Sequence, residues 1–167
     1  AAGDGAEMNR YYLEQLSTHP DLMNAEVLDV LRELSEVATL AVVSNGVHKV
    51  QTRRLAESGV SNFMEDVFIS EKLGCEKPGA RIFDAALRAL RVENREHVLM
   101  VGDSLTSDIQ GGANAGLDTC WFNPNHTENP GKVIPTYEIA SLEELYPLVM
   151  EQDELANVGQ KNRSHQC

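Results

Sequence analysis

The sequence predicts an α/β fold, a doubly wound parallel sheet, and two observations predict it. Residues 38–43 (ATLAVV) and 97–101 (HVLMV) are short apolar runs rich in β-formers, continuous rather than alternating, which marks strands buried on both faces. Stretches with apolar residues at helical spacing lie between such runs, so strand and helix alternate as right-handed βαβ units require.

At residues 7–16, Met8, Tyr11, Tyr12 and Leu16 recur at helical spacing, and this helix should end near Thr18-His19-Pro20. Asn24 is a suitable N-cap for a second helix with the stripe Val27, Leu28, Leu31 and Leu34, broken at the polar Ser35-Glu36. The strand at 38–43 follows, then a helix over about 47–58 stopped by Gly59, then a short strand at 66–69. A helix after Pro78 places Ile82, Phe83, Ala86, Leu87 and Leu90 on one face. The strand at 97–101 runs into GDSLTSD and a helix near 107–115 closed by Gly116; a strand at 118–122 precedes the loop NPNHTENPGKVIP. Ser141-Leu142-Glu143-Glu144 reads as a capping box opening a last helix, which Pro147 should kink or shorten. Residues 151–167 are polar and without period, the composition of a disordered tail.

The chain has 167 residues, 42% apolar and 24% charged, enough for one domain with a core plus a tail. Its formal charge of −12 opposes a nucleic acid polymer or an anionic membrane surface as partner. A small anionic substrate stays compatible if a metal ion and a few placed cations reverse the sign within one cleft. Cys75, Cys120 and Cys167 are odd in number, far apart and without a C-x-x-C pair, which suggests neither disulfides nor zinc and fits a reducing cytoplasm. No apolar run reaches the roughly 18 residues a bilayer demands, and AAGDGAEMNR has no signal-peptide pattern. The five histidines show no metal-ligand spacing.

In a parallel sheet, ligands gather where strands end, so residues just after buried strands carry the strongest functional claim. Ser44-Asn45-Gly46 follows the strand at 38–43 and opens a helix; it reads either as a plain helix cap or as a small phosphate seat. Glu76-Lys77-Pro78 puts a cation at a helix start, where acids are favoured, so either Lys77 reaches solvent or something negative lies beside it. Gly102-Asp103-Ser104-Leu105-Thr106-Ser107-Asp108 places two carboxylates five apart after a buried strand, the donor set of a hard cation such as Mg2+, or alternatively two turn and cap residues.

Taken in order, S-N-G, E-K-P and G-D-S-L-T-S-D resemble the second, third and fourth motifs of the haloacid dehalogenase (HAD) superfamily, whose core is a Rossmann-like doubly wound sheet. Residues 108–124 and 134–145 look like the YjjG-type pyrimidine 5′-nucleotidase branch. The resemblance implies a Mg2+-dependent phosphatase acting on a small phosphorylated substrate through an aspartyl-phosphate. In it Ser44 would bond the transferring phosphoryl group and Lys77 would neutralise nucleophile and phosphate. Asn45 and Gly46 would line the pocket, Asp103 would bind Mg2+, and Asp108 would hold it directly or through water.

One departure is large. The first motif of that family, a strand followed by D-x-D-x-T or D-x-D-x-V, is absent: none of Asp4, Asp21 and Asp29 has an aspartate two residues on. The expectation is therefore a core lacking its first strand (23–150), preceded by a remnant of a helical cap (1–22) with residues 7–16 as the cap's last helix. Such a chain would be a truncated piece that neither folds well nor turns over alone. The competing readings are a sugar-phosphate or acylneuraminate-phosphate phosphatase, and a non-catalytic relative that binds phosphate ligands or a protein.

Overall fold

The computed structural model describes residues 11–14 and 25–151. In chain order the elements are β1 (Tyr11–Glu14), α1 (Ala25–Val37), β2 (Thr39–Ser44), α2 (His48–Ser58), β3 (Asp66–Ile69), α3 (Ser70–Leu73), α4 (Ala80–Ala89), β4 (Val98–Gly102), α5 (Gln110–Asn114), β5 (Asp118–Phe122), β6 (Tyr137–Ile139) and α6 (145–151). The strands form one parallel sheet in the order β3-β2-β1-β4-β5-β6. The expected α/β doubly wound architecture is present. The order reverses at β1: β2 and β3 lie to one side, β4 to β6 to the other, so the switch point falls between the C-terminal ends of β2 and β4.

The strand alternation explains both layers. Leu40 and Val42 of β2, with Leu99 and Val101 of β4, meet Val27, Leu31 and Leu34 of α1 and Leu145 and Val149 of α6. Their neighbours Ala41, Val43, Val98 and Met100 meet Ile82, Phe83, Ala86 and Leu87 of α4 on the opposite face. Each fully buried large side chain of this kind contributes roughly 1.5–3 kcal/mol, and both faces being apolar is why the strand runs were continuous. α2 ends at Gly59, whose φ of 81° is the left-handed cap that a glycine adopts without strain. The capping box at Ser141 and Glu144 is formed as read, and Pro147 falls in the first turn of α6, where a missing N–H is tolerated.

One expectation is corrected. Tyr11–Glu14, read as part of a cap helix, is a strand at the centre of the sheet, paired with β2 on one side and β4 on the other. Without it the inner edges of β2 and β4 would leave rows of buried N–H and C=O groups unsatisfied. Two tyrosines and a leucine are good strand formers, and that demand overrides the helical period. The D-x-D strand of the resemblance is still missing from the sequence, but its place in the sheet is filled. The remaining cap residues at 1–10 and 15–22, Asn24 and the tail at 152–167 lie outside the described residues. Among the described residues no helix is long and apolar enough to cross a membrane.

Candidate active site

The residues singled out after strands converge on the switch point. Ser44 is the last residue of β2 and is 2% exposed; its Oγ has no hydrogen-bond partner, the one such buried side-chain atom among the described residues. Asn45 turns the other way. Its amide brackets the backbone of Lys77, Nδ2 donating to the Lys77 carbonyl at 2.8 Å and Oδ1 accepting from the Lys77 N–H at 2.8 Å. Gly46 sits against the side chain of Gln51. The first turn of α2 already holds an anion, because the His48 N–H donates to Glu71 Oε2 at 2.6 Å.

Lys77, joined to Pro78 by a cis peptide bond, is 3% exposed. Its Nζ donates to the Val43 carbonyl at 3.0 Å and to Asp108 Oδ1 at 2.5 Å. A helix N-terminus does not repel this cation because a carboxylate lies beside it, as the misplaced charge suggested. Asp108 is fully enclosed, and its Oδ2 accepts from the Ser104 N–H at 3.1 Å.

The local backbone explains how Asp108 gets there. Ser104 caps the next turn by accepting from the Ser107 N–H, and residues Leu105–Ile109 form a wide π-helical turn before α5. That turn folds Asp108 back over the end of β4 at Gly102. A Cβ on residue 102 would lie 2.3 Å from the Asp108 Cβ, so only glycine fits there. Asp103 is half-buried and its carbonyl accepts from the Trp121 indole N–H at 3.0 Å. A cleft of ≈ 180 Å³ opens beside it, walled by Trp121, Asn123, Pro124 and Thr127.

Burial pushes the Lys77 ammonium below the usual lysine range, against the pull of Asp108 and Asp103. It pushes Asp108 above the usual aspartate range, and the Asp103 charge adds to that while Lys77 and the Ser104 N–H oppose it. Each carboxylate is thus close enough to act on the other and on Lys77. The rim gathers a buried acid and cation, Asp108 and Lys77, beside the half-buried Asp103, a cluster that a further positive charge would stabilise in its ionised form. Among the described residues no group of three or more His, Cys, Asp or Glu comes together.

Sequence spacing pointed to Ser44, Lys77, Asp103 and Asp108. It missed the Asn45 bracket, the Glu71 contact and the indole bond from Trp121, all of which depend on residues 18 or more apart.

Residues 1–116 match the model of the family described as haloacid dehalogenase-like hydrolase. The chain belongs to that family. Among curated relatives of this HAD chain, the HAD-hydrolase YfnB of Bacillus subtilis is 41% identical over 146 residues, covering 87% of this chain and 62% of YfnB. The pyrimidine 5′-nucleotidase PynA of Streptococcus pneumoniae is 46% identical over 106 residues, covering 64% of the chain and 45% of PynA. The pyrimidine 5′-nucleotidase YjjG of Escherichia coli is 35% identical over 152 residues, covering 83% and 68%. A crystal structure of YfnB bound to magnesium superposes with a TM-score of 0.72 at 43% identity, over 75% of this chain and 55% of that one. The chain therefore spans about half to two thirds of the length of the proteins it matches.

Proposed function

We propose that this chain forms the core of a Mg2+-dependent phosphomonoester hydrolase acting on nucleoside 5′-monophosphates, pyrimidines in particular. Ser44 carries the reading. A buried hydroxyl with no partner, at the rim that also holds Lys77, Asp103 and Asp108, suits a phosphoryl oxygen that would supply the bond it lacks. Lys77 offers positive charge to that oxygen and is fixed in place by Val43, Asp108 and Asn45.

Asp103 and Asp108 supply carboxylate oxygens, the donors a hard cation takes, and Mg2+ commonly uses one or two carboxylates with substrate phosphate completing its shell. Asp103, the more open of the two, suits direct ligation; Asp108, with both oxygens already bonded, suits ligation directly or through water. Bound there, Mg2+ would neutralise charge on the phosphoryl group. The relatives named as pyrimidine 5′-nucleotidases support the choice of substrate. Three cysteines, Cys75, Cys120 and Cys167, odd in number and far apart in the sequence, support a reducing cytoplasm.

No D-x-D occurs in the sequence, so attack on phosphorus is assigned to none of these 167 residues, and alone they are expected to bind without turnover. Isothermal titration of the chain with inorganic phosphate tests the site. Binding should require Mg2+ and should vanish in Asp103→Asn and in Lys77→Met. Binding indifferent to Mg2+ and to both substitutions would sink the reading. Competition then sets the substrate class: UMP or CMP should displace phosphate more effectively than a triose or hexose phosphate, and the reverse order would favour a sugar-phosphate enzyme.

A further inference from the structure

Asn45-Gly46 is the only Asn-Gly pair in the sequence. Such a pair carries its own chemistry. The glycine backbone nitrogen attacks the asparagine Cγ, the bond from Cγ to Nδ2 breaks, and Nδ2 leaves as ammonia with the proton taken from the glycine N–H. The five-membered succinimide so formed takes up one water and opens to aspartate or isoaspartate. Glycine is the favourable neighbour because it has no Cβ to obstruct ring closure and its backbone turns freely.

Nucleophile and electrophile are adjacent along the chain, so the rate depends on whether Asn45 Cγ is free to swing onto Gly46 N. In the folded chain the Asn45 amide is held at both ends, Nδ2 by the Lys77 carbonyl and Oδ1 by the Lys77 N–H, each at 2.8 Å. Those partners lie 32 residues away and are themselves anchored. Lys77 Nζ donates to the Val43 carbonyl and to Asp108, and the Pro78 carbonyl accepts from Asn114 Nδ2 at 2.9 Å. The Gly46 N–H makes no hydrogen bond among the described residues, so the Asn45 amide carries the restraint.

We propose that Asn45 is a site of spontaneous, irreversible modification that the Lys77 backbone holds closed, and that loosening of the 77–78 segment releases it. The product does not restore what was lost. Aspartate has an oxygen where Nδ2 donated, and that oxygen would face the Lys77 carbonyl, two acceptors with no hydrogen between them. Isoaspartate also adds a methylene to the backbone between β2 and α2. Either product removes the join between the end of β2 and Lys77, so conversion runs one way and marks each molecule that has opened there. None of this depends on what binds at the rim.

The full chain is incubated at mildly alkaline pH, folded and in denaturing urea, and peptide digests are followed by mass spectrometry for the exchange of NH for O. Enzymatic methylation of isoaspartate marks the second product. In urea Asn45 should convert faster than every other asparagine, and folding should slow it at least about tenfold, the factor that a local opening free energy of about 1.4 kcal/mol supplies. Equal rates in the two conditions, or a different asparagine leading in urea, would overturn the inference. Gly46→Ala in urea should convert far more slowly, and an unchanged rate there would refute passage through the ring.

Two further variants keep the test independent of gross unfolding. Asn114→Ala frees the Pro78 carbonyl from an exposed position without touching Asn45, and should raise conversion in the folded chain about fivefold. No change would show that the 77–78 segment does not control the site. Asn45→Asp, made directly, should unfold at lower urea than the parent. A variant as stable as the parent would mean that the product rebuilds the bracket, and the one-way switch would fall.

Discussion

β2 and β4 flank the same central strand and end at the same rim, but their polar groups are treated oppositely. After β4, Asp108 is fully enclosed with both oxygens bonded, one to Lys77 and one to the Ser104 N–H. After β2, Ser44 is buried almost as deeply, and its hydroxyl has nothing to bond. Magnitudes account for the difference. A buried charge without a partner costs several kcal/mol, so the fold itself must satisfy it. A buried hydroxyl without one costs about 1–3 kcal/mol, small enough to be left for a ligand to recover.

Breaking the β4 side should have the largest effect. Asp108→Ala strands the Lys77 ammonium in a buried site, and urea denaturation should show a loss of about 3–5 kcal/mol. Asn45→Ala joins the two sides, since it removes both bonds to the Lys77 backbone; the expected loss is about 1–3 kcal/mol by the same measurement. On the β2 side Ser44→Ala should behave in the contrary way. Stability should change by less than about 0.5 kcal/mol or rise slightly, while titration should show phosphate affinity falling about tenfold. A Ser44→Ala chain as unstable as Asp108→Ala would abolish the contrast.

The smallest effect belongs to a region where partners are local and exposed. The N–H groups of Ser141 and Ala140 donate to the Glu144 carboxylate and hold its pKa below the ordinary 4.5. A carboxyl whose pKa is depressed by folding stabilises the native state fully above about 4.5, and that contribution is lost as pH falls through the lower folded value. The stability gap between the parent chain and Glu144→Gln should therefore be present at pH 7 and close below pH 4.5 in acid-denaturation curves.

What could be read from the sequence follows the range of the interactions. α1, β2, β3 and α4 were legible because each carries its own period or apolar run, and the box at Ser141 and Glu144 because its residues are three apart. The rim residues Ser44, Lys77, Asp103 and Asp108 were legible because each stands at the end of a readable element. Tyr11–Glu14 was misread because its local period favours helix, while the unpaired edges of two distant strands decide the outcome. β6 was not read either: only three residues long, it is pinned by reciprocal bonds between Thr119 and Thr136, 17 residues apart. The π-helical turn that carries Asp108 inward has no sequence period of its own.

Trp121 is the chain's one tryptophan, 4% exposed, with its indole nitrogen on the carbonyl of Asp103. All indole emission from this molecule therefore originates beside Asp103, the residue proposed above to ligate Mg2+. Any change in field or solvent at that point, whether from a cation arriving or a phosphate leaving, is written into the colour and brightness of a single chromophore. The protein comes already labelled, at the one place where a label would be most informative.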